Sequence, residues 1–232
     1  IVERRFITIE EPRILEVRSA VRAMNIMVER VRAMFNEQAE RIRQLHQEAN
    51  HDPLTGLANR RFFLGGLVQS LAEEHAHAHG ALLIVRLHDL AGLNHHLGRE
   101  KTDVFLQRCA SILAETLHGR QDWLAGRLNG ADFAILAPGA GMDETRLLAQ
   151  GLLTEFATLY RHGYTDDGRP ALCGFTLYRH GEPSADVLAR ADTALLQAED
   201  NPESIAASLE AAFSAQPNVD WQKQLACALD EN

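Results

Sequence analysis

The stretch Arg127-Leu128-Asn129-Gly130-Ala131-Asp132-Phe133 decides how this chain is read. It is polar, contains a glycine, and lies between two short apolar runs, Trp123 to Ala125 and Phe133 to Leu136. Apolar runs flanking a few Asn, Gly and Asp residues predict a β-hairpin. Asn129-Gly130 predicts a two-residue turn, because both residue types accept positive φ. By spacing alone this is an ordinary surface hairpin.

A second stretch, His51-Asp52-Pro53-Leu54-Thr55-Gly56-Leu57-Ala58-Asn59-Arg60-Arg61-Phe62-Phe63, lies upstream. Its D-P-L-T-G-L-x-N-R-R core resembles a signature of the GGDEF family, the diguanylate cyclases that condense two GTP into cyclic di-GMP. The hairpin stretch resembles the family's R-x-G-G-D/E-E-F turn in decayed form, and the likeness covers about residues 50 to 200.

Working outward, Ala81-Leu82-Leu83-Ile84-Val85-Arg86-Leu87 is a near-continuous apolar run, expected of a central strand covered on both faces. Helices are predicted from Arg60 to about Ala76, Lys101 to Leu117, Asp143 to about Tyr160, and, capped by Ser184, to about Ala198. Ala171 to Tyr178 reads as a strand, and two helical pieces are expected at about 203–213 and 219–229. Helices alternating with strands around one antiparallel hairpin predict a mixed α/β sheet. The resemblance implies the same: a GGDEF-type mixed sheet surrounded by helices, preceded by a long N-terminal coiled-coil helix.

That helix starts at Glu11-Pro12 and runs to about Asn50 without internal Gly or Pro. Apolar residues recur at Ile14, Val17, Val21, Met24, Val28, Val31, Phe35, Ile42, Leu45 and Ala49, in alternating steps of three and four once Gln38 is counted. Such a seam predicts a coiled coil, with Gln38 fixing register. The Arg residues on its other faces are interleaved with Glu and suit a solvated exterior. Arg22 to Val28 and Phe35 to Ala39 also resemble the end of a HAMP module entering a signalling helix. The expected organisation is therefore 1–50 as HAMP end and signalling helix, 51–200 as a degenerate GGDEF domain, and 201–232 as a helical linker. Trp221 to Leu229 resembles the lead into an EAL-type domain.

Composition narrows the function classes. A net charge of −9 disfavours a nucleic-acid partner. No run of about 18 apolar residues is present, so this stretch is expected to be soluble and not to span a membrane. The chain opens at Ile1 rather than Met and is expected to be a piece of a longer protein. Cys109, Cys173 and Cys227 lack any C-x-x-C spacing and suit reduced core thiols in a cytoplasmic setting. His75, His77 and His79 have no matched carboxylate, and Pro138-Gly139-Ala140-Gly141 lacks the Lys-Ser/Thr of a phosphate loop, so both read as loops.

The chemistry implied by the resemblance needs Mg²⁺, which takes hard oxygen ligands in near-octahedral geometry. The family's two ligand carboxylates correspond to Arg86 and Ala131. Arg has no acceptor atom and Ala no ligand atom. Asp132 remains at the second acidic position of the turn, and His88 replaces a nearby acid. The family's guanine-reading Asn and Asp correspond to Asn94 and Asp103, an amide and a carboxylate suited to a guanine edge. By residue type alone, these are equally an Asn turn residue and a helix-surface acid. On the phosphate side the family's Lys, Asp and later Lys read Ala91, His95 and Glu199. The inhibitory R-x-x-D reads Arg120 to Trp123, with Asp122 one residue out of register, so no cyclic di-GMP binding is expected there.

These expectations combine as a catalytically inactive GGDEF domain, with no metal and no cofactor, in a homodimeric relay. The overall order resembles LapD-type receptors, which implies a bacterial inner-membrane parent, a downstream EAL-type domain that binds cyclic di-GMP, and control of adhesion and biofilm. The alternatives are a GTP-sensing domain of an active EAL phosphodiesterase and a residually active cyclase.

Overall fold

The computed structural model describes residues 15–72, 78–161 and 171–208. The chain divides into two compact units, Ile1–Asn50 and His51–Asn232. In the first, α1 runs from Leu15 to Asn50, 36 residues or about 54 Å of helix. Met24, Ile42 and Leu45 of the seam are about half exposed, as are Met27 and Met34 beside it. The expected start at Glu11-Pro12 and seam residue Ile14 lie outside the described residues.

In the second unit the order is β1 (Ala58–Asn59), α2 (Arg60–Ala72), β2 (His79–Leu87), α3 (Leu90–Leu97), α4 (Arg99–Thr116), β3 (Leu124–Arg127), β4 (Asp132–Pro138), α5 (Met142–Arg161), β5 (Ala171–Arg179), α6 (Ser184–Glu199) and β6 (Ile205–Ser208). The six strands form one sheet in the order β1-β3-β4-β2-β5-β6. β1 pairs parallel with β3 and β6 parallel with β5, while the inner pairs are antiparallel. This is the expected mixed α/β sheet surrounded by helices.

The apolar run of β2 is central because both faces are covered. Side chains alternate across a strand. Ala81, Leu83, Val85 and Leu87 enter a core with α4 and α5, whereas Leu82 and Ile84 enter a second core with α2 and α6. Cys109 and Cys173 are buried free thiols on the α4–α5 side, and burial pushes the Cys173 thiol up to about 12. Cys227 lies outside the described residues. Gly174 of β5 lets α6 approach closely, since a Cβ there would sit 2.2 Å from the Leu195 backbone nitrogen.

Several local expectations are corrected. Residues 205–208, expected within a helix opening the 201–232 linker, form strand β6 instead. Ser204 adopts positive φ (59°) and its carbonyl accepts from Cys173 N–H, which docks the segment on β5 despite its alanine content. Ser184 does not cap α6, because the cap position is Pro183 and no side chain bonds there. Helix α3 was not anticipated. It is short, contains Gly92, and is capped by Asp89, whose carboxylate accepts from Gly92 N–H. α2 is described only to Ala72, and His75, His77 and the 219–229 segment lie outside the described residues, while His79 opens β2.

Candidate functional site

The predicted hairpin is present, but its turn differs. Neither Asn129 nor Gly130 has positive φ. Arg127 pairs with Phe133, and the loop between them closes on the Asn129 side chain. Its Oδ1 accepts from Ala131 N–H at 3.0 Å and from Asp132 N–H at 2.9 Å. An Asx-type closure of this kind replaces the two-residue turn, because the Asn amide satisfies the backbone donors directly.

Arg127 then fixes the loop to the signature segment. Its guanidinium donates to the Asn129 carbonyl (3.1 Å), the Gly130 carbonyl (2.9 Å) and Asp52 Oδ1 (3.2 Å). Asp52 Oδ1 also accepts from the Thr55 N–H and hydroxyl. Gly56 closes that turn at φ +72°, a left-handed conformation that favours glycine. Burial would raise the Asp52 carboxyl, but hydrogen bonds from Thr55 and the Arg127 charge together hold it below its ordinary value. The D-P-L-T-G segment is thus a rigid seat for the hairpin loop, and Asp52 is a site residue to which the sequence assigned no role.

Arg86 and Asp132 face one another directly across the β2–β4 ladder. The guanidinium grips both carboxylate oxygens, Nε to Oδ1 at 2.8 Å and a terminal nitrogen to Oδ2 at 3.0 Å. Asn129 Nδ2 adds a third bond to Oδ2 at 2.7 Å. Desolvation alone would raise the Asp132 carboxyl, but the Arg86 and Asn129 bonds outweigh it and keep it ionised. Glu199 lies 4.0 Å from Arg86 at the rim. These residues do not fit a divalent cation: Asp132, the carboxylate directly opposite Arg86 on the ladder, is already engaged by the guanidinium, and Ala131 offers no side-chain oxygen. Among the described residues no group of three His, Cys, Asp or Glu could hold a metal.

Beside the loop is an open cavity of about 870 Å³ lined by Asp52, Leu90, Asn94, Arg99, Thr102, Asp103, Leu106, Arg127 and Gly130 among others. The structure therefore brings Asn94, near the end of α3, and Asp103, in the second turn of α4, to one concavity. Arg99 and Thr102 line it too, and nothing in their spacing announced them. Arg120 and Trp123 sit elsewhere, before β3. The Arg120 guanidinium stacks 3.9 Å from the Trp123 ring centroid and pairs with Glu144 at the start of α5.

A family profile described as "Diguanylate cyclase, GGDEF domain" matches residues 49–204, which include both the loop and its seat. This chain belongs to the GGDEF family. The GGDEF chain is 29% identical over 166 residues to the probable diguanylate cyclase DgcE of Escherichia coli, which covers 68% of this chain and 14% of DgcE. The chain thus spans about a seventh of that relative's length. Its fold is similar to the coiled coil and GGDEF domain of DgcB from Caulobacter crescentus in complex with c-di-GMP, with TM-score 0.68, 23% identity, and coverage of 81% of this chain and 99% of that one. It is also similar to the S helix-GGDEF-EAL part of Vibrio cholerae LapD, with TM-score 0.66, 21% identity, and coverage of 85% and 46%. Its setting is cyclic di-GMP signalling, and no helix among the described residues is long and apolar enough to cross a membrane.

Proposed function

We propose that this GGDEF domain does not condense GTP and instead relays a signal as a homodimer joined through α1. The observation that carries this is the Arg86–Asp132 pair. A cation stands where the resemblance implies a ligand carboxylate, and it occupies the oxygens of the remaining acid. The half-exposed apolar seam of α1 supports the dimer. The parent would be a LapD-like receptor of the bacterial inner membrane controlling adhesion and biofilm, with HAMP-type input and a downstream EAL-type domain binding cyclic di-GMP.

The test is incubation of the chain with GTP and Mg²⁺ or Mn²⁺, with nucleotides resolved by chromatography. No cyclic di-GMP above a no-protein control is expected. Product that disappears on Asp132→Ala would overturn the proposal in favour of a residual cyclase. A second function, GTP sensing for an active EAL phosphodiesterase, is favoured by the convergence of Asn94 and Asp103 on one cavity. Saturable GTP binding lost in Asn94→Ala would select it.

A further inference from the structure

We propose that Arg86 acts as a built-in replacement for a divalent cation, so that the 127–133 loop keeps its shape and the domain its stability without Mg²⁺ or Mn²⁺. The proposal concerns the loop at rest and stands whether or not the domain turns over GTP.

The ladder register carries it. Arg86 and Asp132 are directly opposed partners of β2 and β4. Opposed residues of antiparallel strands lie roughly 4.5–5.5 Å apart, and like charges there repel. Two carboxylates at these positions would repel, and a bound cation between them would relieve that repulsion. In this chain the countercharge is part of one strand, fixed by covalent bonds rather than by a dissociable ion. The fork of Arg86 matches the carboxylate with two parallel bonds at 2.8 and 3.0 Å, the geometry that distinguishes Arg from Lys.

The surrounding bonds extend the same logic. Asn129 Nδ2 takes Asp132 Oδ2, and Asn129 Oδ1 takes the N–H groups of Ala131 and Asp132. Leu87 N–H donates to the Ala131 carbonyl, continuing the ladder past Arg86. Donors and acceptors of the loop are thus met by protein groups at each of these positions. A metal ion would have to displace the guanidinium, and would then find one carboxylate on the ladder itself. Glu199, 4.0 Å from an Arg86 terminal nitrogen, and Asp192 add negative charge around the guanidinium.

The experiment is thermal melting of the full chain in EDTA, in millimolar MgCl₂ and in millimolar MnCl₂, at constant ionic strength so that screening is matched. The wild-type midpoint is expected to agree across all three within about 1 °C. The double variant Arg86→Asp with Ala131→Glu places carboxylates on both strands. It is expected to melt several degrees lower in EDTA and to recover saturably with Mn²⁺. If that variant does not fold, Arg86→Lys supplies the readout: its charge remains but its fork is lost, so it is expected to melt below wild type and to stay insensitive to metal. A saturable rise of the wild-type midpoint with either cation overturns the proposal. So does a double variant as stable as wild type in EDTA, or an Arg86→Lys midpoint equal to wild type.

Discussion

Gly174→Ala tests the packing that supports β5, and its size can be worked from the structure. The added Cβ would lie 2.2 Å from Leu195 N, 2.5 Å from Leu195 Cα and 2.8 Å from Ala194 C. These are backbone atoms of α6, so no side-chain rotation relieves the contact. Restoring a separation of about 3.5 Å requires α6 to retreat by about 1.3 Å. A gap of that size removes a large part of the dispersion contact made by Val187, Ala191, Ala194, Leu195 and Ala198. Overpacking costs about 1–3 kcal/mol, and a backbone obstacle places this case at about 3 kcal/mol, or a melting point lower by roughly 6–12 °C for a chain of this length. Gly151→Ala is the opposite control. That exposed position in α5 has nothing within 4 Å of an added Cβ, so replacing a helical glycine should stabilise by about 0.5–1 kcal/mol. Urea unfolding followed by Tyr and Trp fluorescence suits both, because α1 contains neither residue. A Gly174→Ala variant within about 1 kcal/mol of wild type would refute the close approach of α6 to β5.

Acid stability should report the seat of the loop. The Asp52 carboxyl is held below its ordinary value in the fold, so its contribution is fully present above the unfolded value of about 3.9 and is lost as pH falls through the folded value. Urea midpoints measured from pH 6 down to pH 2 should fall more steeply for wild type than for Asp52→Asn, and identical slopes would contradict the Arg127–Asp52 link. For α1, each buried seam side chain should contribute roughly 1.5–3 kcal/mol. Val28→Glu with Phe35→Glu puts unpartnered charge into the seam and should convert a dimer to a monomer by light scattering. The His51–Asn232 unit should stay folded in that variant. A monomeric wild type, or an unaltered dimer in the variant, would place association elsewhere.

Strand β2 and the helical span of α1 are legible in the sequence because each is a long, unbroken pattern. The hairpin is legible as a place but not as a geometry. The Asn129 side chain outcompeted the positive-φ turn by bonding two backbone N–H groups, and composition does not distinguish those outcomes. β6 is hidden for another reason: in Ile205-Ala206-Ala207-Ser208 one strand-favouring Ile is outweighed by two Ala and a Ser, and tertiary pairing with β5 overrides that weak local preference. The candidate site divides similarly. Asn94 and Asp103, named from the resemblance, line one cavity, whereas the Arg86–Asp132 grip depends on a ladder register that joins residues 46 positions apart. The resemblance implies only that a ligand carboxylate is missing at Arg86 and says nothing of what that residue holds.

The position of β2 at the centre of the sheet also sets an order of events while the chain is being made. Helix α1 is built from local contacts and can form within about a microsecond once free of the ribosome. β2 follows soon after, but its partners come late: β4 pairs Leu83 with Ile135, and β5 pairs Leu83 with Phe175. At roughly 5–20 residues per second, this apolar strand waits about 5–18 seconds for its second neighbour. During that interval the nascent chain carries a finished helix and an unfinished sheet. The apolar edge of β2 is then the part of the chain with most to gain from a chaperone.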